Sequence, residues 1–206
     1  MRIYGNRQLK TLPGQQTRPT ASRVREALFN IWQGRVDGCR WLDVCAGSGS
    51  MGAEALCRGA SRVVGIEESG QACAVIRQNW QQVIKPHQQF QVMRGDAIAK
   101  IRALSGKIQF DRIYFDPPYA SDLYSPVLAA IAGIDVTNRS STNPSSTDNN
   151  STNKTRLPLL APDGEMAVEH APNVSPMETV GMLVVYRQKV YGNSALSFYR
   201  WEGLNL

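Results

Sequence analysis

Two histidines in 206 residues, His87 and His170, lie far apart and outside any ligand spacing, which leaves little material for a metal centre or a histidine-based triad. The four cysteines, Cys39, Cys45, Cys57 and Cys73, form no C-x-x-C pair. They read as small hydrophobes in a reducing compartment rather than as disulfides or zinc ligands. No apolar run approaches the roughly 20 residues of a membrane span. The opening stretch MRIYGNRQLK also lacks the apolar core of a secretory signal, so a cytoplasmic location is expected. Neither a serine nucleophile elbow nor a phosphate-binding P-loop is present.

What is present is ordinary globular chemistry, with 42% hydrophobic and 19% charged residues, enough for one domain with a core. The charge is unevenly placed. Residues 1–40 hold eight basic side chains (Arg2, Arg7, Lys10, Arg18, Arg23, Arg25, Arg35, Arg40) against Glu26 and Asp37. The formal net charge of +6 therefore sits wholly in that segment. A basic end on a neutral body suits a polyanion, because each neutralised phosphate releases counterions. A solvated basic helix face would produce the same count. Residues 1–36 are read as a basic extension, a small hairpin plus a helix, and residues 37–206 as the main domain.

The extension's helix is predicted from Thr20, its cap, to about Gly34, with Val24, Leu28, Ile31 and Trp32 on one face. Strand-like runs then follow at 41–46, 62–67, 90–94, 109–115 and 165–169. Helical stretches at 50–58, 69–84 and 97–104 separate the first four. This alternation predicts an α/β, doubly wound, mostly parallel sheet. Residues 182–191 and 195–201 flank Gly192-Asn193 and read as a closing antiparallel hairpin. In the stretch 137–155, 15 of 19 residues are Ser, Thr or Asn, so it is expected to be a disordered insertion.

Three motifs carry chemistry. In Asp43-Val44-Cys45-Ala46-Gly47-Ser48-Gly49-Ser50-Met51-Gly52, a G-x-G-x-x-G runs off the first strand of the main domain, and Glu67 closes the next one. That arrangement suits any adenosine-bearing ligand: glycines admit the ligand to the backbone, and the second acid accepts from ribose hydroxyls. Asp43 separates the candidates. A pyrophosphate gains nothing from a carboxylate there, whereas a cationic ligand with a free amino group, such as S-adenosylmethionine, does. Next, Gly95-Asp96-Ala97 follows the third strand. Asp96 could meet an adenine amino group with Ala97 packing on the ring, or simply cap the next helix. Finally, Asp116-Pro117-Pro118-Tyr119 closes the fourth strand, at the sheet edge where α/β sites form. An exocyclic base amine is a poor nucleophile because its lone pair is delocalised. Hydrogen bonds to the Asp116 carboxylate and the Pro117 carbonyl would hold it pyramidal. The prolines fix the acceptors, and Tyr119 offers a stacking face.

These motifs resemble those of amino-group methyltransferases acting on adenine N6, guanine N2 or glutamine. With Arg18-Pro19-Thr20, the Arg23-Val24-Arg25-Glu26-Ala27-Leu28-Phe29-Asn30 helix and Arg58-Gly59-Ala60, the chain resembles the bacterial RsmD family nearly throughout, apart from 137–155. The resemblance implies a Rossmann-like fold, S-adenosylmethionine as donor, and N2 methylation of a guanine in small-subunit ribosomal RNA, with no metal. It implies a cofactor site lined by Asp43, Ala46, Gly47, Gly49, Glu67, Asp96 and Ala97. Asp116, Pro117 and Tyr119 would handle the base, while the charge of the basic extension, rather than the resemblance, puts forward Arg7, Lys10, Arg18, Arg23 and Arg25 for the RNA. A monomer with no membrane partner is expected. Cys45 departs from the aromatic usual in the family. The rival readings are a DNA adenine-N6 methyltransferase, which would want a target-recognition domain, a nicotinamide-dependent oxidoreductase, which would bind NAD, and a non-catalytic RNA-binding module.

Overall fold

The computed structural model describes residues 1–12, 19–118, 121–134, 156–174 and 176–203. Strands β1 (Arg2–Ile3) and β2 (Arg7–Gln8) pair antiparallel and precede helix α1 (Pro19–Ile31). Then come β3 (Arg40–Val44), α2 (Ser50–Cys57), β4 (Arg62–Glu67), α3 (Gly70–Val83), β5 (Gln89–Arg94), α4 (Ala97–Leu104), β6 (Phe110–Phe115) and α5 (Tyr124–Ile131). The chain closes with β7 (Leu160–His170), β8 (Thr179–Val180), β9 (Leu183–Tyr191) and β10 (Ser194–Trp201).

The main sheet has the order β5-β4-β3-β6-β7-β10-β9-β8. Its β5-to-β7 part is parallel, and β10, β9 and β8 are antiparallel. The predicted alternation and closing hairpin are both found. Helix α5 was not foreseen, and β7 starts five residues before the predicted run. The order reverses between β3 and β6, which places a ligand crevice at their carboxyl ends.

Strand β3 is buried on both faces, as a central parallel strand must be. One face packs Trp41, Tyr114, Ala167 and Phe198 under α1, α2 and α3. The other packs Leu42, Val44, Ile113 and Phe115 under α4 and α5. The periodic stripe of α1 does what its spacing predicts: Val24, Leu28 and Trp32 are buried in the first layer, beside Ile3 and Leu9 of the N-terminal segment. Phe29 stacks on Trp41 with ring centroids 5.2 Å apart, and Trp32 meets Trp41 edge-on at 5.5 Å. The basic extension thus shares a core with the sheet.

Candidate active site

Strand register decides which acids meet. Pairing sets Gly65, Asp43, Tyr114 and Ala167 opposite one another across β4, β3, β6 and β7. Side chains alternate along a strand, so Glu67, Asp116 and Glu169, two residues further on, follow on the same face at the carboxyl ends. Cys45, just past β3 at φ +61°, turns instead to the other layer and packs against the cluster of Leu42 and Val44. Neighbouring strands lie roughly 4.8 Å apart, so this row spans roughly 14 Å from Glu67 to Glu169.

At its first position Glu67 ties down two backbone segments. Its Oε2 accepts from the Gly47 amide at 2.9 Å and its Oε1 from the Ser69 amide at 2.8 Å. A carboxylate has about four lone-pair sites, so each oxygen retains capacity for a ribose hydroxyl. Asp43 lies behind the row, 1% exposed, with Oδ2 accepting from the Gly52 amide at 3.0 Å. Burial pushes its carboxyl up to about 8, with the Glu67 charge adding to the effect.

The three glycines of the loop do different jobs. A Cβ on Gly47 would meet nothing within 4 Å, so this is where a ligand can approach the backbone. A Cβ on Gly49 would lie 2.8 Å from Trp80 Nε1, and one on Gly52 2.3 Å from Trp80 Cζ2. Trp80 of α3 lies against both and donates its indole N–H to the Gly49 carbonyl at 2.7 Å. Asn79 beside it donates to the carbonyls of Ser48 and Lys10 and accepts from the Lys10 amide. The loop and the N-terminal segment are therefore fastened by the same helix. Ala46 joins the loop to β4 through its amide and the Ile66 carbonyl at 3.1 Å.

Asp116 stays on the sheet edge through its amide, which donates to the Val44 carbonyl at 3.3 Å. Pro117 behind it is buried. Burial holds the Asp116 carboxyl well above the usual carboxylate range, and the nearby charges of Glu169 and Asp43 raise it further. Glu169, 6% exposed, accepts a hydrogen bond from the Tyr114 hydroxyl. Sequence reasoning missed this acid; its signal was the position at the end of β7, legible only once β7 was known to pair with β6. Tyr119 lies outside the described residues, as do Arg18 and the insertion 137–155.

Asp96 is exposed and caps α4, its Oδ1 accepting from the Ala99 amide at 2.8 Å, while Ala97 is buried. Of the basic residues, Arg23 and Lys10 are exposed. The exposed Arg7 donates to the Val83 carbonyl and to Cys57 Sγ, both at 3.3 Å. Arg25 is different: it is 3% exposed, with Nε 2.7 Å from Glu54 Oε2, and a second nitrogen donates to the Arg2 carbonyl. Its position on α1 faces the core, because Arg25 follows Val24 around the buried stripe. The charge is committed to Glu54 inside the fold and does not reach a surface partner. Among the described residues no helix is long and apolar enough to cross a membrane, and no group of three or more His, Cys, Asp or Glu could hold a metal.

The parallel sheet with a reversed order at β3/β6, an open glycine at the crevice and an antiparallel closing hairpin define a Rossmann-like methyltransferase fold. A solved structure of a candidate methyltransferase, yhhF of Escherichia coli, shares it with a TM-score of 0.72 at 24% identity, covering 99% of both chains. A family model described as conserved hypothetical protein 95 matches residues 1–142. YlbH of Bacillus subtilis, named as a candidate rRNA methyltransferase, is 30% identical over 198 residues, 96% of this chain and 95% of that one. Ribosomal RNA small subunit methyltransferase D of Haemophilus influenzae is 29% identical over 129 residues, 63% of this chain and 67% of that one. The chain belongs to this family, the RsmD family of methyltransferases.

Proposed function

We propose that the protein transfers a methyl group from S-adenosylmethionine to the exocyclic N2 amine of a guanine in small-subunit ribosomal RNA. The observation that carries the reading is electrostatic. The charges acting on Asp43 and Asp116 are all other carboxylates, so among the described residues these two acids have no compensating cation. A ligand bearing a sulfonium and an ammonium offsets that deficit, whereas a pyrophosphate would deepen it. The residues fit the donor: Gly47 leaves room against the backbone, Glu67 faces the ribose, and Ala97 sits where an adenine ring packs. Asp96 joins the site only if it accepts from the adenine amine in addition to capping α4. Asp43 acts from behind, holding the Gly52 amide, and a bound cation would draw its raised carboxyl back toward the ionised form.

The donor supplies a methyl carbon on a positively charged sulfur. The chain's own part is approach, orientation and charge, which together account for several kcal/mol of such barriers. Asp116 and the Pro117 carbonyl accept the two N2 hydrogens, so the nitrogen lone pair faces the methyl carbon. As the N–C bond forms and the C–S bond breaks, the carboxylate stabilises the positive charge growing on nitrogen. One N2 proton is then released through Asp116 to solvent. Tyr119 provides the stacking face, and a base in looped RNA reaches the crevice more cheaply than one in a duplex. The printed name of the Haemophilus relative, and the basic Arg7, Lys10, Arg18 and Arg23, support ribosomal RNA as the acceptor.

The test pairs binding with turnover. S-adenosylhomocysteine at 100 times its Kd is expected to add about 2.7 kcal/mol of stability, or about 5–10 °C in Tm, and NAD none. Asp116→Ala is expected to keep that protection and to lose turnover by at least about a hundredfold. Equal protection by NAD, or a fully active Asp116→Ala, overturns the reading.

A further inference from the structure

An aspartate after β6 cannot by itself tell guanine from adenine, because both bases offer an amine. The second acid of the row can. Glu169 ends β7, the strand beside β6, on the face that carries Asp116, and the pairing of Phe115 with Val168 puts the two acids side by side. Its carboxylate is buried and held by the Tyr114 hydroxyl. Tyr114 is itself 4% exposed and lies two residues before Asp116 on the same face, so the acid has a fixed support rather than a mobile one.

The two bases differ in what lies next to the amine. Guanine presents N2–H and N1–H side by side, two donors in a row. Adenine presents N6–H beside N1, a donor next to a lone pair. An ionised carboxylate can only accept, never donate. The Glu169 carboxylate therefore satisfies the guanine N1–H beside the amine that Asp116 orients, and sets its charge against the adenine N1 lone pair. Sites built to hydrogen-bond a donor reject analogues lacking it far more strongly than apolar pockets reject a methylene, because their buried polar groups are left unpaired.

We propose that Glu169, placed beside Asp116 by the β6–β7 register and held by the Tyr114 hydroxyl, accepts the N1–H of the target base and selects guanine. The proposal rests on the guanine-N2 reading above. It assigns Glu169 a specificity role at the same crevice, distinct from the orientation of N2 by Asp116.

The base 2,6-diaminopurine keeps the 2-amino group but has a bare N1, and because it also carries an amine in place of O6, the Glu169 variant is what assigns the preference to N1. An RNA fragment of the small subunit containing the methylated guanine is prepared with guanine or 2,6-diaminopurine at that one position. Methyl transfer is then compared as kcat/KM. Wild-type protein is expected to favour guanine by about a hundredfold or more. Glu169→Gln keeps the side-chain volume and an acceptor for Tyr114, and its amide can also donate to a bare N1. It is expected to bring the preference to within about tenfold while S-adenosylhomocysteine affinity stays unchanged. A wild-type preference below tenfold overturns the proposal without any variant. So does an unchanged preference in a Glu169→Gln protein that still binds S-adenosylhomocysteine. If wild-type protein methylates neither base, the guanine-N2 reading itself has failed and this inference goes with it. That outcome shows in the wild-type arm alone, so the two failures are distinguishable.

Discussion

Alanine at Gly52 and alanine at Gly47 should fail in opposite ways, although both glycines belong to one motif. At Gly52 the new methyl would lie 2.3 Å from Cζ2 of Trp80, a fully buried ring with no free direction in which to move. Overpacking of this kind costs about 1–3 kcal/mol. The better helix propensity of alanine returns about 1 kcal/mol, because Gly52 lies within α2. A net loss of up to about 2 kcal/mol remains, or up to about 8 °C in Tm for a chain of this length. At Gly47 the space is open but φ is +56°, so the cost is about 1–2 kcal/mol of left-handed backbone. There the methyl would occupy the ligand's approach, and S-adenosylhomocysteine affinity should fall at least about tenfold. Denaturant unfolding and ligand titration of both variants separate stability from binding. The decisive comparison repeats Gly52→Ala in a Trp80→Leu background, where the Trp80 clash is gone, only the 3.0 Å approach to Val63 Cγ1 remains, and the loss should shrink to near zero. The same loss in both backgrounds would refute the assignment of Gly52 to Trp80 packing, and normal ligand affinity in Gly47→Ala would refute the open approach.

Three further outcomes follow from the charges. The raised carboxyl of Asp43 means the fold favours its protonated form, so its stabilising effect is full below about pH 4 and is lost as pH rises through about 8. Asp43→Asn, which keeps an acceptor for Gly52, should flatten that part of the stability–pH curve, and an unchanged curve would contradict the buried titration. Arg25→Ala should cost about 3–5 kcal/mol by leaving Glu54 inside the fold without its closest partner, whereas a loss below about 1 kcal/mol in urea unfolding would mean that this pair is not structural. Replacing Lys10 and Arg23 with Gln should leave stability within about 0.5 kcal/mol. It should also flatten the slope of log RNA affinity against log salt by up to about 0.7–0.9 per lost contact; an unchanged slope would remove these residues from the RNA surface.

The sheet was legible because β3 to β6 are apolar runs separated by helix-period segments, a pattern that local chemistry fixes. The α1 stripe was legible for the same reason. Arg25 was not, because a charge count places basic residues in a segment without saying which face of the helix each occupies. Gly49 and Gly52 read as ligand-facing on spacing alone, but the partner that fills their missing side chains, Trp80, lies roughly 30 positions away in sequence. Glu169 escaped notice since its neighbour Asp116 lies across a β6–β7 pairing that no local pattern reveals. Tertiary register, not residue type, completed the site.

The most direct test of the central claim is transfer of tritiated methyl from S-adenosylmethionine to unmethylated small ribosomal subunits, followed by nucleoside analysis. The account predicts label in N2-methylguanosine with wild-type protein, and its loss with Asp116→Ala despite retained S-adenosylhomocysteine binding. Label in N6-methyladenosine, or label undiminished in Asp116→Ala, would contradict it.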